Sequence, residues 1–183
     1  MAGKELRHPN RFITDHDAEG KAIFNTSIPE ELDEQIIGVG DKFFLGYTTS
    51  EKPVDLTDEK DIKSYKEYLA NPPGIVIPGG TVVRFVDMRP GGVSPMHRTV
   101  SLDYGVVVEG EVILRLDSGE SRLMKRGDVS VQRGTMHEWE NASKTEWARM
   151  MYVLQDATPV LVGGKKLDED YGKGMEEIRS SGN

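Results

Sequence analysis

His97, Thr99, Ser101 and Asp103 occupy every second position of one short stretch, and His137 stands in a second stretch further along the chain. Side chains alternate faces along a strand, so an extended segment here would put these four on one side. A histidine and a carboxylate on one face, met by a second histidine from elsewhere, make a two-histidine, one-carboxylate set. Such donors suit Fe(II), Mn(II), Zn(II), Co(II) or Ni(II). Three protein ligands also leave coordination positions open for water or a substrate. His97, Asp103 and His137 are therefore the candidate metal ligands, and no organic cofactor is expected.

These groups lie far apart in sequence, so the elements between them must fold them together. Residues 41–49, with Phe43, Phe44, Leu45 and Tyr47, predict a strand. Residues 58–70 predict the one clear helix. Asp58 would cap it, Ile62, Tyr65 and Leu69 form a stripe that packs on the sheet, and Asn71-Pro72-Pro73-Gly74 ends it. Further strands are expected at residues 75–77, 81–88, 97–103, 105–109, 111–116, 122–124, 129–132 and 146–154. Asp117-Ser118-Gly119-Glu120 serves as a hairpin turn among them. Short strands at this spacing, with glycine turns and almost no helix, predict an all-β antiparallel sandwich or barrel.

Residues 1–40 read as an amino-terminal extension with short strands at 11–14 and 21–24 around a polar turn at 15–20. His16 in that turn is flanked by aspartates, but an exposed, glycine-terminated turn is ordinarily just solvated, and His8 is a weaker candidate still. Residues 41–157 form the barrel. Residues 158–183 form a charged, glycine-broken tail with at most a weak helix at 168–178.

The 183 residues suffice for one domain with a proper core plus extensions. A formal charge of −8 disfavours a nucleic-acid groove or an anionic membrane surface as partner. Without cysteine there are no disulfides or thiolate sites. The apolar runs are far short of a membrane span, and the charged start does not resemble a secretory signal, so a cytoplasmic protein is expected.

The doubled histidine pattern resembles that of a small single-domain cupin of the conserved-barrel type. Gly91 is followed by five residues and His97, and Asp103 by six residues and Gly110; Gly134, His137 and Asn141 match the second motif, with Gly127 upstream. Three departures stand out. Thr99 occupies the place of the family's second histidine, Asp103 that of its glutamate, and Gln132 that of its proline. On the family's longer spacing Tyr104 would take the acid position, although face alternation turns it away from His97. Thr99, Tyr104 and Trp139, the last at the cavity mouth, are the candidate catalytic contacts.

The resemblance implies a double-stranded β-helix, or jelly roll, that holds a divalent metal and a small-molecule substrate. It also implies a homodimer that pairs edge strands. Similar proteins accompany bacterial or fungal small-molecule metabolism, polyketide metabolism included. A metal-dependent lyase or isomerase is expected first, decarboxylating, dehydrating or cyclising a small oxygenated acid or ketone. The alternatives are an Fe(II)-dependent dioxygenase and a metal-free barrel that binds a ligand without turnover.

Overall fold

Alternating apolar and polar residues between glycine turns produce strands nearly throughout the chain. The structure is a computed structural model that describes residues 3–173 and 178–181. Its strands are β1 (Ile13–His16), β2 (Ala22–Asn25), β3 (Glu34–Ile37), β4 (Asp41–Thr49), β5 (Thr81–Met88), β6 (Ser101–Glu109) and β7 (Glu111–Leu116). They continue with β8 (Ser121–Lys125), β9 (Val129–Arg133), β10 (His137–Asn141), β11 (Ala148–Asp156), β12 (Leu161–Val162) and β13 (Lys165–Lys166). One helix, α1 (Lys60–Ala70), lies between β4 and β5.

Two antiparallel sheets carry the fold. The larger runs β3-β4-β5-β11-β6-β9 and the smaller β10-β7-β8. Val93 bridges to Glu140 and His97 to His137, which adds residues 93–97 to the smaller sheet beside β10. Met88, Val107, Met150 and Ala148 from the larger sheet pack with Val112, Met124 and Trp139 from the smaller, so the two sheets face each other in a jelly-roll sandwich. Both inner faces are apolar at this end because burial there is what holds the sheets together, at about 1.5–3 kcal/mol per large side chain.

Register then decides what points inward. Across the larger sheet Arg84 pairs with Tyr152 and Tyr152 with Gly105, while Leu154 pairs with Asp103. With period-two alternation, Arg84, Val86 and Met88 of β5, Tyr152 and Leu154 of β11 and Asp103 of β6 share the inner face, where all six line one cavity. The four motif glycines, Gly91, Gly110, Gly127 and Gly134, all adopt positive φ, the conformation that the sharp returns between strands require.

Helix α1 packs outside β4. Ile62 and Tyr65 are buried with Ile28, and the Tyr65 hydroxyl donates to the Leu45 carbonyl at 2.7 Å. Its start differs from expectation. Asp58 and Glu59 take left-handed backbone angles and no side chain caps the helix. Asp55 instead accepts from the Thr57 N–H at 2.9 Å, which fixes the turn ahead of it.

Other boundaries differ as well. Residues 75–77 form no strand; Ile75, Val76 and Ile77 are a buried connection whose Val76 N–H is satisfied by the Ser181 hydroxyl at 3.1 Å. Since β3 pairs with β4, the larger sheet begins at Glu34, inside the stretch expected to be an extension. The segment from His97 is not one continuous strand: His97 and Arg98 make isolated bridges, and β6 starts only at Ser101. Of the weak helix expected at residues 168–178, the described residues are not helical, and residues 174–177 lie outside the described set.

Candidate functional site

A cavity of about 500 Å³ opens between the sheets. The smaller sheet supplies His97, His137 and Trp139, and the larger supplies Phe43, Arg84, Tyr152 and Asp103. That volume suits one small organic molecule.

The two histidines are neighbours by construction. Each donates its backbone N–H to the other's carbonyl at 2.9 Å, and their ring centroids are 4.3 Å apart. The Nδ1 of His97 lies 2.8 Å from the Pro95 carbonyl and that of His137 2.8 Å from the Thr135 carbonyl. A carbonyl can only accept, so each Nδ1 carries the proton and each Nε2 keeps its lone pair. Burial lowers the affinity of both rings for a second proton. For His137 burial and the neighbouring His97 bring the pKa down to about 3. The site thus presents two neutral imidazoles, each with Nε2 as an acceptor.

Asp103 has the opposite shift for the same reason. It is 4% exposed, and burial raises its pKa to about 6, against the lowering effect of the Ser101 and Thr99 hydroxyls. Thr99 Oγ1 donates to Asp103 Oδ2 at 3.2 Å, and the Ser101 hydroxyl donates to Thr99 Oγ1 at 2.7 Å. Asp103 Oδ1 is buried with no hydrogen-bond partner. Gln132, its cross-strand neighbour, accepts from the Thr135 hydroxyl and leaves its own Nε2 without a partner.

The set of three metal ligands expected from His97, Asp103 and His137 is not assembled. Among the described residues no three histidine, cysteine, aspartate or glutamate side chains gather closely enough to hold one ion. The physical reason lies in the two sheets. Both imidazoles come from the smaller sheet, whereas Asp103 sits on β6 of the larger one. Its short side chain is turned to Thr99, and a second histidine is missing where Thr99 stands. The donors present therefore fit two positions of a metal set and leave the third unfilled.

The other candidates divide. Thr99 is 2% exposed and in the cavity wall, acting on Asp103. Trp139 is 5% exposed and also lines the cavity; its ring lies 5.7 Å from His137 and 5.7 Å from Tyr152, edge-on to both. Tyr104 is not brought to the site. One residue after Asp103 on a regular strand, it points to the outer face and is 38% exposed. His16 is exposed in its turn, and His8 lies beside Glu31 and Glu34 outside the cavity.

Tyr152 and Arg84 are cavity residues that sequence could name only as members of lining strands, because parity was open. The Tyr152 ring packs closely against Gly105 of β6, where an added Cβ would come within 2.9 Å of it. Burial and the nearby Asp103 hold its hydroxyl well above the ordinary phenol range, so it stays a protonated donor. Asn141 is a structural residue. Fully buried, it donates to the Met88, Arg89 and Glu146 carbonyls at 3.0, 3.1 and 2.8 Å and fixes the bend after β10.

Comparison with known proteins places this geometry. The cupin domain family matches residues 84–154, the span from Arg84 to Leu154. Phomopsin biosynthesis cluster protein D of Diaporthe leptostromiformis is 58% identical over 98% of this chain and 95% of its own length. Oryzines biosynthesis cluster protein J of Aspergillus oryzae is 48% identical over 93% of this chain and 95% of its own. A Neurospora crassa protein named cupin-domain-containing oxidoreductase srdB is 42% identical, with 94% and 86% covered. With two facing sheets, both histidine motifs at the cavity and relatives matched over nearly their whole length, the chain belongs to the cupin family.

Proposed function

We propose that this protein is a lyase or isomerase of fungal secondary metabolism that moves protons on a small oxygenated acid or ketone, with Asp103 as the base. The observation that carries this reading is the state of Asp103. Asp103 lines a cavity of suitable size, and its Oδ1 is buried with no hydrogen-bond partner. A carboxylate tuned toward pH 6 is a far better base than one at its ordinary value, yet is still mainly ionised at neutral pH. The names of the relatives, which include two biosynthesis cluster proteins, support the metabolic setting.

The remaining groups have parts that follow from their protonation. Asp103 Oδ1 takes a proton from the carbon beside a carbonyl, and that carbon–hydrogen pair moves into a carbon–carbon double bond. The Tyr152 hydroxyl donates a hydrogen bond to the carbonyl oxygen, where negative charge collects. The Nε2 atoms of His97 and His137 accept from a substrate hydroxyl and so orient it. Return of the proton to a different carbon gives an isomer. Loss of a β-hydroxyl, which leaves as water with the proton held by Asp103, gives a dehydration. Thr99 and Ser101 hold the carboxylate in place.

The test is proton exchange in D2O. A panel of β-hydroxy ketones and β-keto acids incubated with the protein should acquire deuterium at the carbon between the oxygens' carbons, and Asp103→Asn should stop it. Exchange at the background rate across the panel would sink the reading.

A second reading, a metal-dependent oxidation such as an Fe(II) dioxygenase would perform, is favoured by the oxidoreductase names of four relatives. The two uncommitted Nε2 atoms also favour it, as they would hold a divalent ion of the kind cupins commonly carry. Oxygen uptake after addition of Fe(II), lost in both His97→Ala and His137→Ala, would select this reading over proton transfer.

A further inference from the structure

Arg84 is a charged side chain in an apolar place. It is 7% exposed on the inner face of β5, and its guanidinium carbon lies 5.0 Å from the centre of the Phe43 ring. Burial pulls its pKa down to about 10, so it remains a cation at neutral pH. One of its amino groups donates to the Gly74 carbonyl at 3.1 Å, while Nε is buried with no partner. Among the described residues no carboxylate pairs with it. Asp41, the other acid in the cavity wall besides Asp103, is engaged instead by the Arg89 N–H at 3.0 Å.

A guanidinium has five N–H donors in a planar fork that matches a carboxylate or phosphate. Burying one without a counter-charge is costly, and among the described residues no carboxylate offsets that cost. Its stacking on Phe43 orients it but contributes little against that cost. On the sheet, Arg84 and Asp103 are separated by β11 and offset by two residues along it, so their backbones stand roughly 12 Å apart. A molecule of modest length lying over Tyr152 would reach both.

We propose that Arg84 anchors an anionic group of the ligand, a carboxylate by preference, at the end of the cavity away from Asp103. This deepens the proton-transfer reading and rests on it for the identity of the reacting end. It narrows the substrate class to an oxygenated acid whose acidic end sits on Arg84 and whose carbonyl end lies by Asp103. The apolar wall between, with Val86, Tyr152 and Leu154, takes the carbon skeleton.

The experiment uses quenching of tryptophan fluorescence, since Trp139 lines the cavity, with six- to ten-carbon alkyl and aryl carboxylates, each paired with its primary amide. The parent should bind at least one acid ten or more times tighter than its amide. Arg84→Gln should lose that preference while it binds the amide as the parent does, which shows an intact cavity, and Arg84→Lys should keep part of it. The readout is binding and not proton exchange, so the anchor can stand even where the proton-transfer reading fails. An acid preference retained in Arg84→Gln, equal binding of acids and amides by the parent, or no binding by any member at millimolar concentration would each overturn the proposal.

Discussion

His97 and His137 hold each other through a reciprocal pair of backbone hydrogen bonds, both 2.9 Å, and this bridge sets their rings 4.3 Å apart. A proton added to either ring would meet the other's field at a buried position, so both are neutral acceptors at neutral pH. Replacing His137 with Ala removes one acceptor and leaves the bridge itself, which is made by main-chain atoms. The expected outcome is a roughly tenfold loss of kcat/KM, about the worth of one neutral hydrogen bond, with an unchanged circular dichroism spectrum.

Asp103→Asn keeps the shape of the side chain and removes the base. A drop of about two to four orders of magnitude in kcat, with KM nearly constant, is expected from steady-state kinetics on any substrate found by proton exchange. Thr99→Val acts through Asp103 by removing the hydroxyl that favours its ionised form. Its pH–rate profile should show the acid limb shifted to higher pH. A profile unchanged from the parent would remove Thr99 from the positioning of the base.

Much of this arrangement was legible in the sequence, and the misses share a cause. Periodicity of two predicted β5 and placed strands at 97–103 and 105–109 where the single β6 runs from Ser101 to Glu109, and the glycines at 91, 110, 127 and 134 mark turns that do adopt positive φ. His97 and His137 come together as expected because the segment before β6 bridges to β10 at these two residues. Alternation alone could not say which face of β5 or β11 looks inward. Arg84 and Tyr152 were therefore visible as strand residues and invisible as cavity residues. Asp103 and the two histidines line one cavity, but residues 98–100 carry the chain from one sheet to the other, so a shared parity does not mean a shared sheet. The apolar run at 75–77 is a covered connection and not the expected strand, because the two share one composition.

The opposing pKa shifts predict how stability depends on pH. Asp103 is raised from 3.8 to about 6, so the folded protein binds more protons than the unfolded chain between those values, and its contribution to stability falls as pH rises through them. His137 is lowered from 6.5 to about 3; the unfolded chain binds the extra proton there, and its contribution rises with pH over that window. The two partly cancel in the parent. In Asp103→Asn the histidine effect stands alone, so denaturant midpoints should fall steeply from pH 6.5 to pH 4. In His137→Gln the Asp103 effect gains weight, and the same acidification should cost far less. Parallel curves for the two variants would contradict these shifts.

Asn141 offers a test of structure apart from chemistry. Its amide satisfies three main-chain carbonyls and its carbonyl accepts from the Ser143 N–H at 3.0 Å, all at a fully buried position. Asn141→Ala strands these groups at a cost of about 2–3 kcal/mol. A Tm lower by roughly 5–10 °C is expected from scanning calorimetry.

The most direct measurement is a side-chain NMR titration of the chelator-treated protein that follows Asp103, His97 and His137 together. A carboxyl midpoint near pH 6 for Asp103, with His137 still neutral at pH 5, His97 titrating below the ordinary histidine value and both rings protonated on Nδ1 when neutral, is the expected result. An Asp103 midpoint at an ordinary carboxylate value, or imidazoles that titrate near pH 6.5, would show that the cavity does not tune these groups and that Asp103 is not a poised base.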